Sequence, residues 1–450
     1  MHHDVSRRSF LKSTLATGTA AWVANSYAAA ESKSPNERLR FACIGVGGKG
    51  SSDTQQASEF GDIVGLCDID DERLNKMSEK FPQAKKYNDF RKMLDEIGKD
   101  VDGVTVSTPD HTHAVAAMAA IKMGKAVYCQ KPLTRTVHEA RALRVAAKQY
   151  KVATQMGNQG TAASGARKAI EAIRAGIIGG VKEVHVWTNR PVWPQAPKVT
   201  ERLPAQAIPS HVHWDLFLGP AQERAYNEGY HPFKWRGWWD FGTGALGDMA
   251  CHTANMAYMA LQLGYPTHVS AESDTINPET CPGWATITYE FPARDGMPAA
   301  KLIWYEGFKD GVRNLPAPEL FKGFKANDSG SLLIGEKGTL FSPNDYGASY
   351  TILERQGFED FEYPPQTLPR HASENTDLMM KQEWVAAIKG GPPAMSNFDY
   401  AAMFSEAMLL GNVALRCGKG FDWDGPNMKA INCPEAEEFI APKYRDGWSL

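Results

Sequence analysis

No stretch after the first thirty residues holds the roughly 20 consecutive apolar residues that a bilayer-crossing helix needs, so no integral membrane segment is expected in the processed chain. No two cysteines stand in CxxC spacing. Paired-thiol zinc sites and thioredoxin-like redox centres are therefore not indicated, and the chain is far longer than disulfide-stapled scaffolds. No fixed-period repeat is visible. A net charge of -3 offers no basic field for nucleic acid or acidic membranes, which leaves a neutral small molecule as the expected partner.

What is present is ordinary globular material, 43% hydrophobic and 22% charged over 450 residues, long enough for two domains. The first 30 residues read as a processing signal. Ser6-Arg7-Arg8-Ser9-Phe10-Leu11-Lys12 is a twin-arginine pair, Leu15 to Ala24 a short apolar stretch, and Ala28-Ala29-Ala30 a cleavage site. A polar linker, 31–37, follows. The expectation is a protein exported to the periplasm or beyond through the twin-arginine route. No cysteine follows the small residues, so a lipid anchor is not indicated. The seven cysteines read mostly as buried thiols, since a protein exported folded acquires its structure in a reducing cytosol, and a Cys281–Cys433 bridge stays open.

Apolar runs at Leu39 to Val46, Ile63 to Cys67, Val101 to Val106, Ala126 to Cys129 and Val152 to Met156 alternate with helical patterns. That alternation predicts a parallel, doubly wound Rossmann sheet over 38–160. Beyond it, 161–450 carries strands with fewer intervening helices, from Val184 to Thr188 through Thr351 to Glu354, which predicts an α/β domain with a large open, mostly antiparallel sheet. Pro191 to Gly247 is aromatic and weakly periodic, and reads as long loops over a binding surface.

The first strand runs into Gly45-Val46-Gly47-Gly48-Lys49-Gly50, a GxGxxG turn. Gly45 permits the turn, Gly47 the approach of backbone N–H groups to a pyrophosphate, and Gly50 close helix–strand packing; Gly48 lies in the same turn. Asp68 follows at the end of the second strand, near the spacing of a ribose-binding carboxylate. A carboxylate there accepts ribose hydroxyls and repels a 2'-phosphate, so NAD is expected. At the end of the strand reading Ala126 to Cys129 comes Gln130-Lys131-Pro132. Lys131 can bind a substrate hydroxyl and stabilise alkoxide character, or be a plain loop lysine. Asp248 and His252, four apart, share one face of a helix and suit a histidine base beside a carboxylate; a helix-start aspartate with a core histidine is the other reading. No third ligand at convincing spacing joins them, so no metal is expected.

The glycine turn, Thr108-Pro109-Asp110-His111-Thr112-His113, Gln130-Lys131-Pro132 and Asp248-x-x-x-His252 together resemble the Gfo/Idh/MocA oxidoreductases. The resemblance implies a bound nicotinamide facing an open sheet, with Lys131, Asp248 and His252 matching the family's catalytic set. It also implies Thr108, Pro109, Gln130 and Lys131 at the cofactor, and His113 near the nicotinamide ribose. One departure stands out: the family commonly has Glu-Lys-Pro, and Gln130 supplies no carboxylate. Six of twelve tryptophans fall between Trp187 and Trp239, where a sugar-stacking platform or a loop core are both open; His211, Tyr230 and Trp235 are its weak substrate-binding candidates.

The functional expectation is an NAD-dependent oxidoreductase acting on a carbohydrate with a retained cofactor, because an exported enzyme has no free NAD pool to draw on. Redox-neutral glycoside cleavage is one form of it and a simple inositol or sugar dehydrogenase another. A non-catalytic carbohydrate binder that keeps NAD is the third reading. A homo-oligomer is expected.

Overall fold

The computed structural model describes residues 38–355 and 361–450; the signal at 1–30 and the linker at 31–37 lie outside the described residues. Six parallel strands form the first sheet: β1 (Leu39–Ile44), β2 (Gly61–Cys67), β3 (Lys85–Tyr87), β4 (Gly103–Val106), β5 (Ala126–Gln130) and β6 (Thr154–Gly157), in the order β3-β2-β1-β4-β5-β6. Helices α1 (Lys49–Ser58), α2 (Asp71–Lys80), α3 (Phe90–Ile97), α4 (Asp110–Lys122) and α5 (Val137–Tyr150) connect them. Strand order reverses between β1 and β4, so the loops leaving their carboxyl ends diverge and open a crevice there. Strands β4, β5 and β6 are buried at every position, which explains the largely apolar sequences of β4 and β5, while β6, Thr-Gln-Met-Gly, is buried with two polar side chains. The exception is β3, Lys-Lys-Tyr, a short polar edge strand with no apolar signature.

The second sheet has ten strands: β7 (Val181–Trp187), β8 (His268–Ser273), β9 (Trp284–Phe291), β10 (Ala300–Lys309), β11 (Val312–Arg313), β12 (Gly330–Gly335), β13 (Gly338–Ser342), β14 (Thr351–Arg355), β15 (Phe421–Asp424) and β16 (Lys429–Ile431). Its order is β14-β13-β12-β7-β10-β9-β8-β15-β16, with β11 on β10, and only the β7–β10 pairing is parallel. In β9, Ala285, Ile287, Tyr289 and Phe291 alternate inward as a half-buried strand requires. The further helices of seven residues or more among the described residues are α6 (Ser164–Arg174), α7 (Gly244–Thr253), α8 (Asn255–Leu261), α9 (Thr376–Ile388) and α10 (Phe398–Cys417). One hydrophobic core runs through both sheets, from Val104 and Met156 to Ile287 and Leu410. The late helix α9 packs on the first sheet, where Trp384 stacks on Phe41 at 5.3 Å and meets Tyr128 edge-on at 5.8 Å. A helix from the far end of the chain thus covers the face of β1 and β5.

One expectation needs correction, and one question left open is settled. The segment between β7 and α7 is irregular, as its weak periodicity implied, but it is not a loose cover. Trp214, Phe217, Tyr230, Trp238 and Phe241 close into a small core of their own, because rings this dense bury more apolar area against each other than against a neighbour. Cys281 and Cys433 do not pair: all seven thiols are free, and the neighbour of Cys433 is Cys417. No helix among the described residues is long and apolar enough to cross a membrane.

Glu306 on β10 is buried and accepts a hydrogen bond from Trp304 Nε1 at 2.7 Å, and burial pushes its carboxyl up to about 8. The folded chain therefore holds a proton that the unfolded chain releases. This contribution to stability is whole below pH 4.5 and is lost as pH rises through about 8. Glu306→Gln keeps the acceptor and removes the titration. It is expected to stabilise the protein at pH 8 by about 1–3 kcal/mol and to leave it unchanged at pH 4.5; calorimetry at the two pH values checks this.

Candidate active site

The crevice at the strand-order reversal is continuous with a cavity of about 480 Å³. Its floor is the glycine turn. Gly45 has φ 75°, and a Cβ there would lie 2.7 Å from Ser107 O; a Cβ on Gly50 would lie 1.8 Å from Gly45 O. Both positions exclude any side chain, so α1 starts hard against β1. The start of α1 has no side-chain cap; Gly50 N and Ser51 N donate to Gly47 O and Gly48 O, which leaves the N–H groups just ahead of them, of Gly48 and Lys49, for an anion. Asp68 closes the turn: Oδ2 accepts from Val46 N at 2.8 Å and Gly47 N at 3.1 Å, and Oδ1 from Asp70 N at 3.0 Å. A carboxylate has about four acceptor positions, so roughly one remains for a ribose hydroxyl. Gly45, Gly47, Gly48, Asp68, Thr108, Pro109, Gln130 and Lys131 all line the cavity.

At the far side Lys131, one residue past β5, reaches across to α7. Its Nζ donates to Asp248 Oδ1 at 2.7 Å and to Asp248 O at 2.9 Å. Sequence reading missed the rest of the cluster. Arg236 Nη1 donates to Asp110 Oδ1 at 2.9 Å while its Nε lies 3.3 Å from Asp248 Oδ1, and Arg190 Nε lies 3.6 Å from Asp248 Oδ2. Burial alone would raise the carboxyl of Asp248; the charges of Lys131 and Arg236 outweigh it and hold the group well below the usual carboxylate range. His252 lies one turn further along α7, edge-on to Tyr346 with ring centroids 5.1 Å apart. Burial, then the charge of Lys131, push it well below its ordinary value, so it is a neutral imidazole. Its Nδ1 is buried with no hydrogen-bond partner. The residue lines the cavity, where a neutral imidazole can meet a hydroxyl-bearing ligand.

Other expected residues sit elsewhere. His113 is buried off the cavity, with Nδ1 2.8 Å from Pro132 O and Nε2 2.8 Å from Thr108 O. It pins the two cavity loops together and has no nitrogen to offer a ribose. Tyr230 is 1% exposed inside the aromatic core, and its hydroxyl accepts from Leu203 N. His211 stands outside the cavity, 3.6 Å from Glu72. Trp235 does line it, under the Arg236 guanidinium at 4.3 Å. Asp248 and His252 acquire no third metal-type ligand among the described residues, where the sole such trio is Asp70, Glu72 and His211.

The irregular segment also crosses to the β2–α2 turn. His213 N donates to Ile69 O and Asp71 N donates to His211 O, both at 2.9 Å, so Val212 and Asp70 form an antiparallel bridge. His213 Nε2 lies 3.2 Å from Asp71 Oδ1, and His231 Nε2 lies 3.7 Å from Asp70 Oδ2. This strap rests directly beyond Asp68.

Comparison with known proteins agrees with this geometry. Residues 39–158 match the NAD-binding Rossmann fold of an oxidoreductase family, and residues 163–327 match the C-terminal alpha/beta domain of the same family. The chain belongs to the Gfo/Idh/MocA oxidoreductase family. Its Rossmann domain is NAD-binding. Inositol 2-dehydrogenase of Salmonella typhimurium is 29% identical over 152 residues, 33% of this chain and 45% of that one. A glycosyl hydrolase family 109 protein of Solibacter usitatus is 33% identical over 150 residues, 30% of this chain and 34% of that one. The matches span less than half the length of these Gfo/Idh/MocA relatives. Aldose-aldose oxidoreductase of Caulobacter crescentus shares the fold with a TM-score of 0.57 at 18% identity, over 86% of this chain and all of that one.

Because burial and Lys131 both disfavour an imidazolium, the acid limb of kcat/KM is expected well below pH 6.5, the ordinary histidine value. A pH–rate profile with its limb at or above 6.5 contradicts a catalytic His252 in this environment.

Proposed function

We propose that this chain is an exported, NAD-dependent oxidoreductase that acts on a carbohydrate hydroxyl and keeps its cofactor through turnover. One observation carries the reading: the Lys131–Asp248 pair and the neutral imidazole of His252 line the same cavity as the glycine turn and Asp68. The two sequence relatives named above support it, since one is named an inositol dehydrogenase and the other a glycosyl hydrolase.

The glycine turn, the uncapped start of α1 and Asp68 would hold the dinucleotide. When bound, NAD supplies the hydride acceptor at C4 of its nicotinamide. The chain's own residues do the proton work. Neutral His252 accepts the proton of the hydroxyl being oxidised, and Lys131 donates a hydrogen bond to the oxygen as negative charge develops on it. Asp248 holds Lys131 in place, and the charges of Lys131 and Arg236 keep that carboxylate ionised. On a glycoside the same groups serve a redox-neutral route. A ketone at the oxidised carbon acidifies the neighbouring C–H, the glycosidic oxygen leaves, water adds, and the carbon regains its hydride, so the net reaction is hydrolysis.

The twin-arginine segment supports export, and the strap supports retention. By bridging the β2–α2 turn just beyond Asp68, the strap makes release of an adenosine held there depend on breaking its backbone bonds. Denatured purified protein is expected to release close to one NAD per chain. His213→Pro removes one donor of the bridge and is expected to speed nucleotide loss about tenfold, with activity regained on adding NAD. Retention in His213→Pro equal to wild type sinks the strap's role.

Myo-inositol, free aldoses and nitrophenyl glycosides, followed for both nicotinamide absorbance and nitrophenol, separate the readings. Nitrophenol without net NADH marks cleavage, and NADH accumulation marks a dehydrogenase. Lys131→Ala is expected to lower kcat by about 10²–10³. Saccharide binding with no turnover of any panel member, unchanged by Lys131→Ala, favours the binder.

A further inference from the structure

Behind the Lys131 corner stands a carboxylate that no motif announces. Asp53, in α1, is fully buried, and four donors converge on it. Lys381 Nζ at 2.7 Å and Lys49 Nζ at 2.9 Å meet Oδ1, while Ser107 Oγ and Gln130 Nε2, both at 2.8 Å, meet Oδ2. Burial opposes a charge on Asp53, but the two lysines outweigh it and hold the group below its ordinary value. Each donor belongs to a working part of the site. Lys49 is in the glycine turn, Ser107 precedes Thr108, Gln130 precedes Lys131, and Lys381 comes from α9, the helix that covers β1 and β5.

This arrangement accounts for the glutamine in Gln-Lys-Pro. A glutamate at 130 would set a second carboxylate at hydrogen-bond distance from Asp53, and two like charges in so dry a site cannot both stay ionised. Gln130 instead donates its amide and accepts Lys131 N at 3.4 Å. Its amide also lies where a Cβ on residue 157 would be 2.5 Å from Nε2, so Gly157 is what leaves it room. The negative charge has its place on α1, and the strand end supplies a neutral connector.

We propose that Asp53 is a positioning residue for the reaction: through Gln130 it fixes the corner from which Lys131 reaches Asp248, and through Lys381 it ties that corner to α9. The inference rests on the reading of Lys131 as the group that stabilises the substrate oxygen. Misplacement of such a group by about 1 Å can cost up to a hundredfold in rate.

The test uses full-length protein with its NAD, labelled with 13C at lysine Cε, and the variants Gln130→Met, Gln130→Glu, Asp53→Asn and Asp53→Asn/Gln130→Glu. The Lys131 signal is assigned by its absence in Lys131→Ala. In Gln130→Met, which preserves length and removes the donor, the Lys131 signal is expected to move toward those of exposed lysines. There kcat on the best panel substrate is expected to fall about tenfold, with KM within about twofold. Gln130→Glu is expected to lose more, and the exchanged pair Asp53→Asn/Gln130→Glu to recover most of that loss, which a residue needed only for folding would not do. An unmoved Lys131 signal and unchanged kcat in Gln130→Met overturn the proposal, as does an exchanged pair no better than Gln130→Glu. Full activity in Lys131→Ala sinks the catalytic reading of Lys131 instead, whatever the Lys131 signal does in the other variants. Should Asp53→Asn not fold, the Gln130→Met signal decides alone.

Discussion

The contact between Lys131 and Asp248 is what makes one site out of two sheets. Lys131 follows a strand of the parallel sheet, Asp248 sits on a helix of the second layer, and the ion pair at 2.7 Å is the seam between them. Two charges in a buried seam are worth little unless their geometry is good and their remaining hydrogen-bonding capacity is used, and either alone there would be costly. The second condition is met by Arg236, which lies 3.3 Å from Asp248 and hydrogen-bonds Asp110 at the start of α4. Asp110 in turn accepts from Thr243 Oγ1 at 2.7 Å, just ahead of α7. The two layers are therefore laced twice around the cavity, and separating them would strand several charges at once.

Most polar atoms in this seam serve shape rather than chemistry. Both nitrogens of His113 face carbonyl oxygens, three acceptor positions of Asp68 are taken by backbone N–H groups, and Gln130 is committed to Asp53. His252 differs from these in lining the cavity, and its Nδ1 is one of several buried polar atoms that no neighbouring group fixes by a hydrogen bond.

The parts of this site that could be read from the sequence are those whose meaning is local. A glycine turn after an apolar strand, an acid at the next strand end and two residues four apart on a helix each carry their geometry within a few residues. Lys131 was legible because strand ends are where open sheets place their chemistry. What could not be read depends on distant partners. Arg236 lies in a weakly periodic, aromatic segment that gives no clue which side chain turns inward. Asp53 looks like any polar residue on a helix until Lys381, 328 positions later, arrives beside it. His113 failed for the opposite reason: its place in the motif is right, but the carbonyls of Thr108 and Pro132 claim its nitrogens. The tryptophan-rich segment suggested a sugar platform, yet dense rings satisfy one another first, and of that group Trp235 alone among the three named candidates reaches the cavity.

Topology also fixes the distance between the two ends of the cavity. Asp68 follows β2 and Lys131 follows β5, and the order β2-β1-β4-β5 puts three strand spacings between them, roughly 14 Å at about 4.8 Å each. That is a span which a dinucleotide laid across the switch point covers, one ribose at the acid and the nicotinamide toward the lysine. The strap through His213 bears on the β2 end, while the Asp53 network bears on the β5 end through Gln130. The grip proposed for the adenosine end and the placement proposed for Lys131 thus rest on different strands and on separate sets of partners.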